Sequence, residues 1–155
     1  MAKSKVTVRS DSITPKIGMV GCVVCDDVRV EDNGKIILIG VYAGDIVVPQ
    51  FPADIPLRVY FSVRIEGAGT GILETEIITQ PIGEDEFTTK IQGKVQFDST
   101  EMKMHETGIP TPPLECKVER SSFLFVRWRS DGDDWQQLIC KRIILQGDES
   151  RGEPS

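Results

Sequence analysis

From Leu57 to Glu66 apolar and polar residues alternate: Leu57, Val59, Phe61, Val63 and Ile65 share one parity, and Arg58, Tyr60, Ser62, Arg64 and Glu66 the other. In an extended strand successive side chains leave opposite faces, so this spacing sets one face on a core and one in water. Thr89, Ile91, Gly93, Val95 and Phe97 against Lys90, Gln92, Lys94 and Gln96 repeat the pattern. Both read as antiparallel strands with a solvated side. Between them Ile72 to Gln80 is rich in β-branched residues and bounded by glycines 67, 69 and 71 and by Pro81-Ile82-Gly83, which predicts a further strand.

Asp32-Asn33-Gly34-Lys35 separates Gly18 to Val30 from Ile36 to Tyr42. Asn-Gly suits the positive φ angles of a type I′ turn, and a hairpin is predicted there. Phe123 to Arg129 and Trp135 to Leu145 flank the polar turn Ser130-Asp131-Gly132-Asp133-Asp134, a second antiparallel pair, preceded by a short strand at Leu114 to Glu119. About eight strands and no sustained helical period predict an all-β chain, an antiparallel β-sandwich of Ig-like or C2-like type. Ile46 to Pro52 holds Pro49 and Pro52, with Pro56 beyond, and reads as an extended crossing segment. Phe51 then either anchors it in the core or belongs to an apolar ridge for a protein partner. Thr107 to Pro113 carries the same two readings.

The chain has 155 residues, 39% hydrophobic and 27% charged, enough for one core without metals or disulfides. Its expected organisation is a basic arm at 1–16, a domain at 17–145 and a polar tail at 146–155. The arm sets Lys3, Lys5, Arg9 and Lys16 against Asp11, four minus one, a local excess of three positive charges. It is either a solvated terminus or a segment that docks on an acidic surface, such as another copy. The net charge of -6 argues against a nucleic-acid partner. No apolar run of about 18 residues suggests a membrane span, and the polar N-terminus lacks a secretory core, so a cytoplasmic location is expected.

Cys22-Val23-Val24-Cys25 has the spacing of a metal knuckle or dithiol, but residues three apart in a strand point to opposite faces; both read as strand residues. Parity groups Asp26 with Val20, Cys22, Val24, Val28 and Val30, an unusual setting for a carboxylate. Either a bulge or backbone hydrogen bonds accommodate it, or it is a site carboxylate. Asp27, beside Arg29, reads as solvated. Asp131, Asp133 and Asp134 are candidate calcium ligands, although Asp and Gly also make ordinary turns. The one histidine, His105, falls in an expected exposed connection. No nucleophile, phosphate-loop or nucleotide motif is found, so no catalytic residue, metal or cofactor is assigned and the chain is expected not to be an enzyme.

Cys25-Asp26-Asp27-Val28-Arg29, Asn33-Gly34-Lys35, Leu38-Ile39-Gly40-Val41-Tyr42, Gly44-Asp45-Ile46 and Val48-Pro49-Gln50-Phe51-Pro52 together resemble the N-terminal pattern of the bacterial DUF6941 family. The resemblance spans Cys22 to Val63 and implies a small antiparallel β-sandwich, with no reaction, substrate or cofactor. It marks Asp26, Asp27, Arg29, Asp45, Pro49 and Phe51 as possible contact residues. The basic arm and the connection from Ser99 to Pro113 depart from compact members. The expected function is a non-catalytic interaction module or assembly subunit, with a protein partner or a homo-oligomer. The alternatives are a calcium-dependent binding domain and a hydrolase using Asp26.

Overall fold

A computed structural model describes residues 14–100 and 103–148; Lys3, Lys5, Arg9 and Asp11 of the expected arm and residues 149–155 of the expected tail lie outside the described residues. Ten strands follow one another: β1 (Lys16–Val30), β2 (Ile36–Val41), β3 (Ile46–Val48), β4 (Ala53–Glu66), β5 (Gly69–Pro81), β6 (Thr89–Ser99), β7 (His105–Pro110), β8 (Leu114–Val118), β9 (Ser122–Ser130) and β10 (Gln136–Leu145). No helix occurs among the described residues. One sheet has the order β2-β1-β4-β7, with β8 also on β4, and the other the order β3-β10-β9-β5-β6. Every pairing is antiparallel except that of β3 with β10.

Alternation in β4 is reproduced: Leu57, Val59, Phe61, Val63 and Ile65 are all 2% exposed or less, whereas Arg64 and Glu66 are exposed. Leu57, Val59, Phe61 and Val63 pack with Leu73, Ile77, Leu124, Val126, Trp128 and Ile143 of the other sheet in one apolar cluster. Burying a large apolar side chain stabilises by roughly 1.5–3 kcal/mol, so this shared cluster is the main force joining the sheets.

Two strands exceed the expected eight, and both involve proline-bearing segments. Ile46–Val48, expected only to cross, pairs along β10 and stops before Pro49. An edge strand needs partners on one side only, so the prolines that follow do not forbid it. Phe51 is half-buried against the core cluster, while Val47 is exposed. His105 is likewise not in an exposed connection: it opens β7, opposite Ile65. Thr111 continues the ladder, its N–H donating to Val59 O at 2.8 Å, and β8 resumes pairing on β4 past Pro112 and Pro113. Pro110 is tolerated because β7 is a sheet edge.

The turns also differ from expectation. At the first hairpin Gly34 has φ 81° and Asn33 is not in the left-handed region. Gly34 N–H donates to Glu31 O and Glu31 N–H to Lys35 O, both at 2.9 Å, which makes Asp32-Asn33-Gly34 a three-residue loop rather than a type I′ turn. Positive φ at two successive positions occurs instead at Asp131 (48°) and Gly132 (80°), with Asp133 N–H donating to Ser130 O.

Candidate functional site

In β1 the register against β4 shifts between Met19 and Gly21, so the single parity expected from Val20 to Val30 is broken. Ile17 and Met19 face the core before the shift, and Cys22 and Val24 after it; Val20 is 49% and Val30 65% exposed. Asp26, expected among apolar neighbours, is exposed. Its Oδ1 accepts the Tyr42 hydroxyl at 2.7 Å. Gly40, with φ 65°, lies opposite, and a Cβ there would stand 2.1 Å from Asp26 Oδ2. Asp26, Tyr42 and Gly40 thus form one close contact across the hairpin. Burial, then the hydrogen bond to Asp26, pushes the Tyr42 hydroxyl pKa up to about 12.

Pairing of β1 with β4 ends at Cys25 and Arg58, and beyond it the Arg58 side chain bridges the two strands and the β7–β8 junction. Its Nε and Nη2 donate to Thr111 O at 2.9 and 2.8 Å, and its Nη1 donates to Val28 O at 2.9 Å and to Asp27 Oδ1 at 3.3 Å. The Val28 N–H donates to the Asp27 carboxylate, and that bond, followed by Arg58, holds the carboxyl below its ordinary range. Arg29 Nε lies 3.6 Å from Asp27 Oδ2. Asp45 leads into β3 and is held by the Arg142 fork at 3.1 and 2.5 Å, which lowers its pKa. The structure therefore gathers Asp26, Asp27 and Arg29 on the β1–β2 hairpin and uses Asp45 to tie β3 to β10. Pro49 ends β3, next to the half-buried Phe51.

Asp131 Oδ1 accepts the Ile72 N–H at 3.0 Å, which turns this carboxylate toward β5. Asp131, Asp133 and Asp134 line a cleft with Lys16, Arg129 and Gln136. Among the described residues no group of three or more His, Cys, Asp and Glu is arranged to hold a metal ion. Cys22 opposes Phe61 and Cys25 opposes Arg58, so the two thiols leave opposite faces. Burial pushes the Cys22 thiol to about 12 and that of Cys116 to about 11, far from thiolate chemistry at neutral pH.

The sheet edges differ sharply from one another. Along β6 the exposed row is Lys90, Gln92, Lys94 and Gln96. The β7–β8 edge carries Pro110, Pro112 and Pro113, and β3 is three residues long. Lysine, proline and shortness all discourage strand addition. The remaining edge is β2, Ile36-Ile37-Leu38-Ile39-Gly40-Val41, with neither charge nor proline. Tyr42 N–H donates to Val24 O at 3.0 Å. At the other end of the strand Lys35 O accepts the Glu31 N–H, so by antiparallel alternation the backbone groups of Ile37 and Ile39 face β1 and those of Ile36 and Leu38 face outward; the alternation changes at Gly40, whose φ is 65° and which is missing from the run of paired residues. No strand among the described residues pairs with that side. The side chains of Ile37 (42% exposed) and Val41 (50%) flank Ile39 on one face.

Sequence reading identifies the hairpin but passes over Arg58, Tyr42 and this edge. The uncharged run Ile36 to Ile39 is the available signal for the edge. No family model matches the chain, and no curated protein does so either. No helix among the described residues is long and apolar enough to cross a membrane.

Proposed function

We propose that the chain is a non-catalytic interaction module or assembly subunit of the cytoplasm, an Ig-like or C2-like β-sandwich that acts through protein–protein contacts. The observation that carries this reading is the unguarded edge of β2. Ile36 and Leu38 turn their backbone donors and acceptors outward from an edge that carries neither charge nor proline, while lysine, proline or shortness protects the other edges. An added strand would gain main-chain hydrogen bonds there, and its side chains would cover Ile37, Ile39 and Val41. The motif resemblance to DUF6941 covers this same hairpin and agrees with a domain that brings no chemistry of its own.

Affinity capture from a cell extract tests the reading, comparing the native chain with Leu38→Pro, which removes an outward N–H, and Ile37→Lys, which charges the exposed face. Proteins retained by the native chain should be lost with both variants. Identical sets of retained proteins would refute an interaction role for this edge.

A further inference from the structure

We propose that the cleft where the ends of β5, β6, β8 and β9 meet is a binding site for a small hydroxylated anion, a sugar phosphate or a sugar acid. It adjoins the β7–β8 edge, on the far side of β4 from β1 and β2, and is independent of the contact proposed at β2.

The cleft has a volume of about 660 Å³, inside the range of roughly 300–1,000 Å³ typical of small-molecule sites. Hydrogen bonds fix its walls. On one side the Thr88 N–H donates to Thr79 O at 2.9 Å, and the two threonine hydroxyls meet at 3.1 Å. On the other the hydroxyl of Ser122, 1% exposed, donates to Arg120 O at 2.8 Å, and the Ile82 N–H donates to Ser121 O at 3.0 Å. The Thr89 hydroxyl reaches Lys117 O at 3.4 Å from one sheet to the other. The Arg120 guanidinium pairs with Glu84, which ties the β8–β9 turn to the β5–β6 loop. Walls already held in the free protein need little further ordering when a ligand enters.

The chemistry of the lining selects the ligand. Lys117 stands opposite Asp54 in the β4–β8 ladder yet forms no ion pair with it, and among the described residues its ammonium has no hydrogen-bond or ion-pair partner. Arg120 gives only Nη2 to Glu84, which leaves the rest of its planar fork for a second acceptor. Two cations therefore converge on one cleft of a chain whose net charge is -6. A phosphate or carboxylate head supplies the oxygens that both can grip, and charge-assisted bonds of this kind are the strong ones. Glu119 also lines the cleft and can only accept hydrogen bonds when ionised. It repels a bare anion but takes hydroxyl donors, and with the oxygens of Thr88 and Thr89 it favours an anion that carries hydroxyl groups.

Titration calorimetry on the purified full-length chain tests this with ribose 5-phosphate, gluconate, inorganic phosphate and neutral ribose, and circular dichroism verifies the folding of each variant. Ribose 5-phosphate or gluconate should bind at millimolar concentration, and the tighter of the two identifies the anionic head. Inorganic phosphate should bind more weakly and ribose not at all. Lys117→Gln, a change at an exposed side chain, should weaken the hydroxylated anion about tenfold or more, because one charge-assisted bond is lost. Lys35→Gln, an equally exposed lysine on the first hairpin, should leave the affinity unchanged. Glu119→Ala should narrow the gap between the hydroxylated anion and inorganic phosphate. No heat from either hydroxylated anion, an affinity unaltered in Lys117→Gln, or ribose or inorganic phosphate binding as tightly as the hydroxylated anions would each overturn the proposal.

Discussion

Replacing Arg58 by Met removes every guanidinium donor at the point where β1, β4 and the β7–β8 junction meet, while keeping a long apolar stem. The guanidinium supplies Thr111 O with two bonds and Val28 O with one, all between 2.8 and 2.9 Å. Hydrogen bonds from a charged donor contribute roughly 1.5–3 kcal/mol each, so two orphaned carbonyls set an upper bound of about 3–6 kcal/mol. The Arg58 side chain is 18% exposed, which lets water recover part of the loss. The expected destabilisation is about 2–4 kcal/mol. In a chain of this size each kcal/mol moves the melting temperature by about 2–4 °C, giving a fall of roughly 5–15 °C. Urea unfolding followed by tryptophan fluorescence measures it; the midpoint should fall with the slope unchanged. Asp27→Asn, which removes the exposed ionic partner and leaves the carbonyl bonds, should cost much less. Equal losses for the two variants would mean that the ion pair, and not the bridging of carbonyls, holds the junction. A loss below about 0.5 kcal/mol for Arg58→Met would refute the bridge altogether.

Gly40→Ala should destabilise by more than the roughly 1–2 kcal/mol of left-handed backbone strain, because its Cβ also meets Asp26. Asp26→Gly in the same chain should recover the steric part but not the strain, as a double-mutant cycle by thermal melting will read. Tyr42, whose pKa is raised to about 12 by burial and by Asp26, should contribute stability that is complete below the unfolded value of about 10 and lost as pH rises toward 12. Unfolding measured from pH 9 to 12 should show that loss, diminished in Tyr42→Phe. Asp45 and Asp27 have the opposite sign: their lowered pKa values favour the fold above about pH 4, and this contribution should disappear as pH falls below it, in acid titrations of Asp45→Asn and Asp27→Asn beside the native chain. Asp131→Ala should cost about 1 kcal/mol by freeing the Ile72 N–H, by equal amounts with calcium and with chelator. A calcium-dependent rise in the native melting temperature would instead support the binding-domain alternative.

Alternation in β4 and β6 is legible residue by residue, because a period of two reports directly which side of a strand is buried. Hairpin positions are legible for a similar local reason: Asn33-Gly34 and Asp131-Gly132 can turn the chain within four residues. The kind of turn is not, since loop length depends on where Val30 and Ile36 finally pair. Asp26 reads as core-facing because it shares parity with Cys22 and Val24, but pairing of β1 with β4 ends at Cys25 opposite Arg58, so its carboxylate lies beyond that ladder and accepts the Tyr42 hydroxyl instead; where the ladder ends is decided by a strand more than thirty residues away. Pro110 and the short β3 escape a strand reading because proline is excluded only where a strand has neighbours on both sides, and edge position is a property of the assembled sheet. The same distinction governs the proposed contact. The apolar run Ile36 to Ile39 stands in the sequence, but only tertiary order leaves it at an edge, and only the β1–β2 pairing aims the backbone groups of Ile36 and Leu38 outward, because local spacing sets a residue's face whereas its hydrogen-bonding partner must come from elsewhere in the chain.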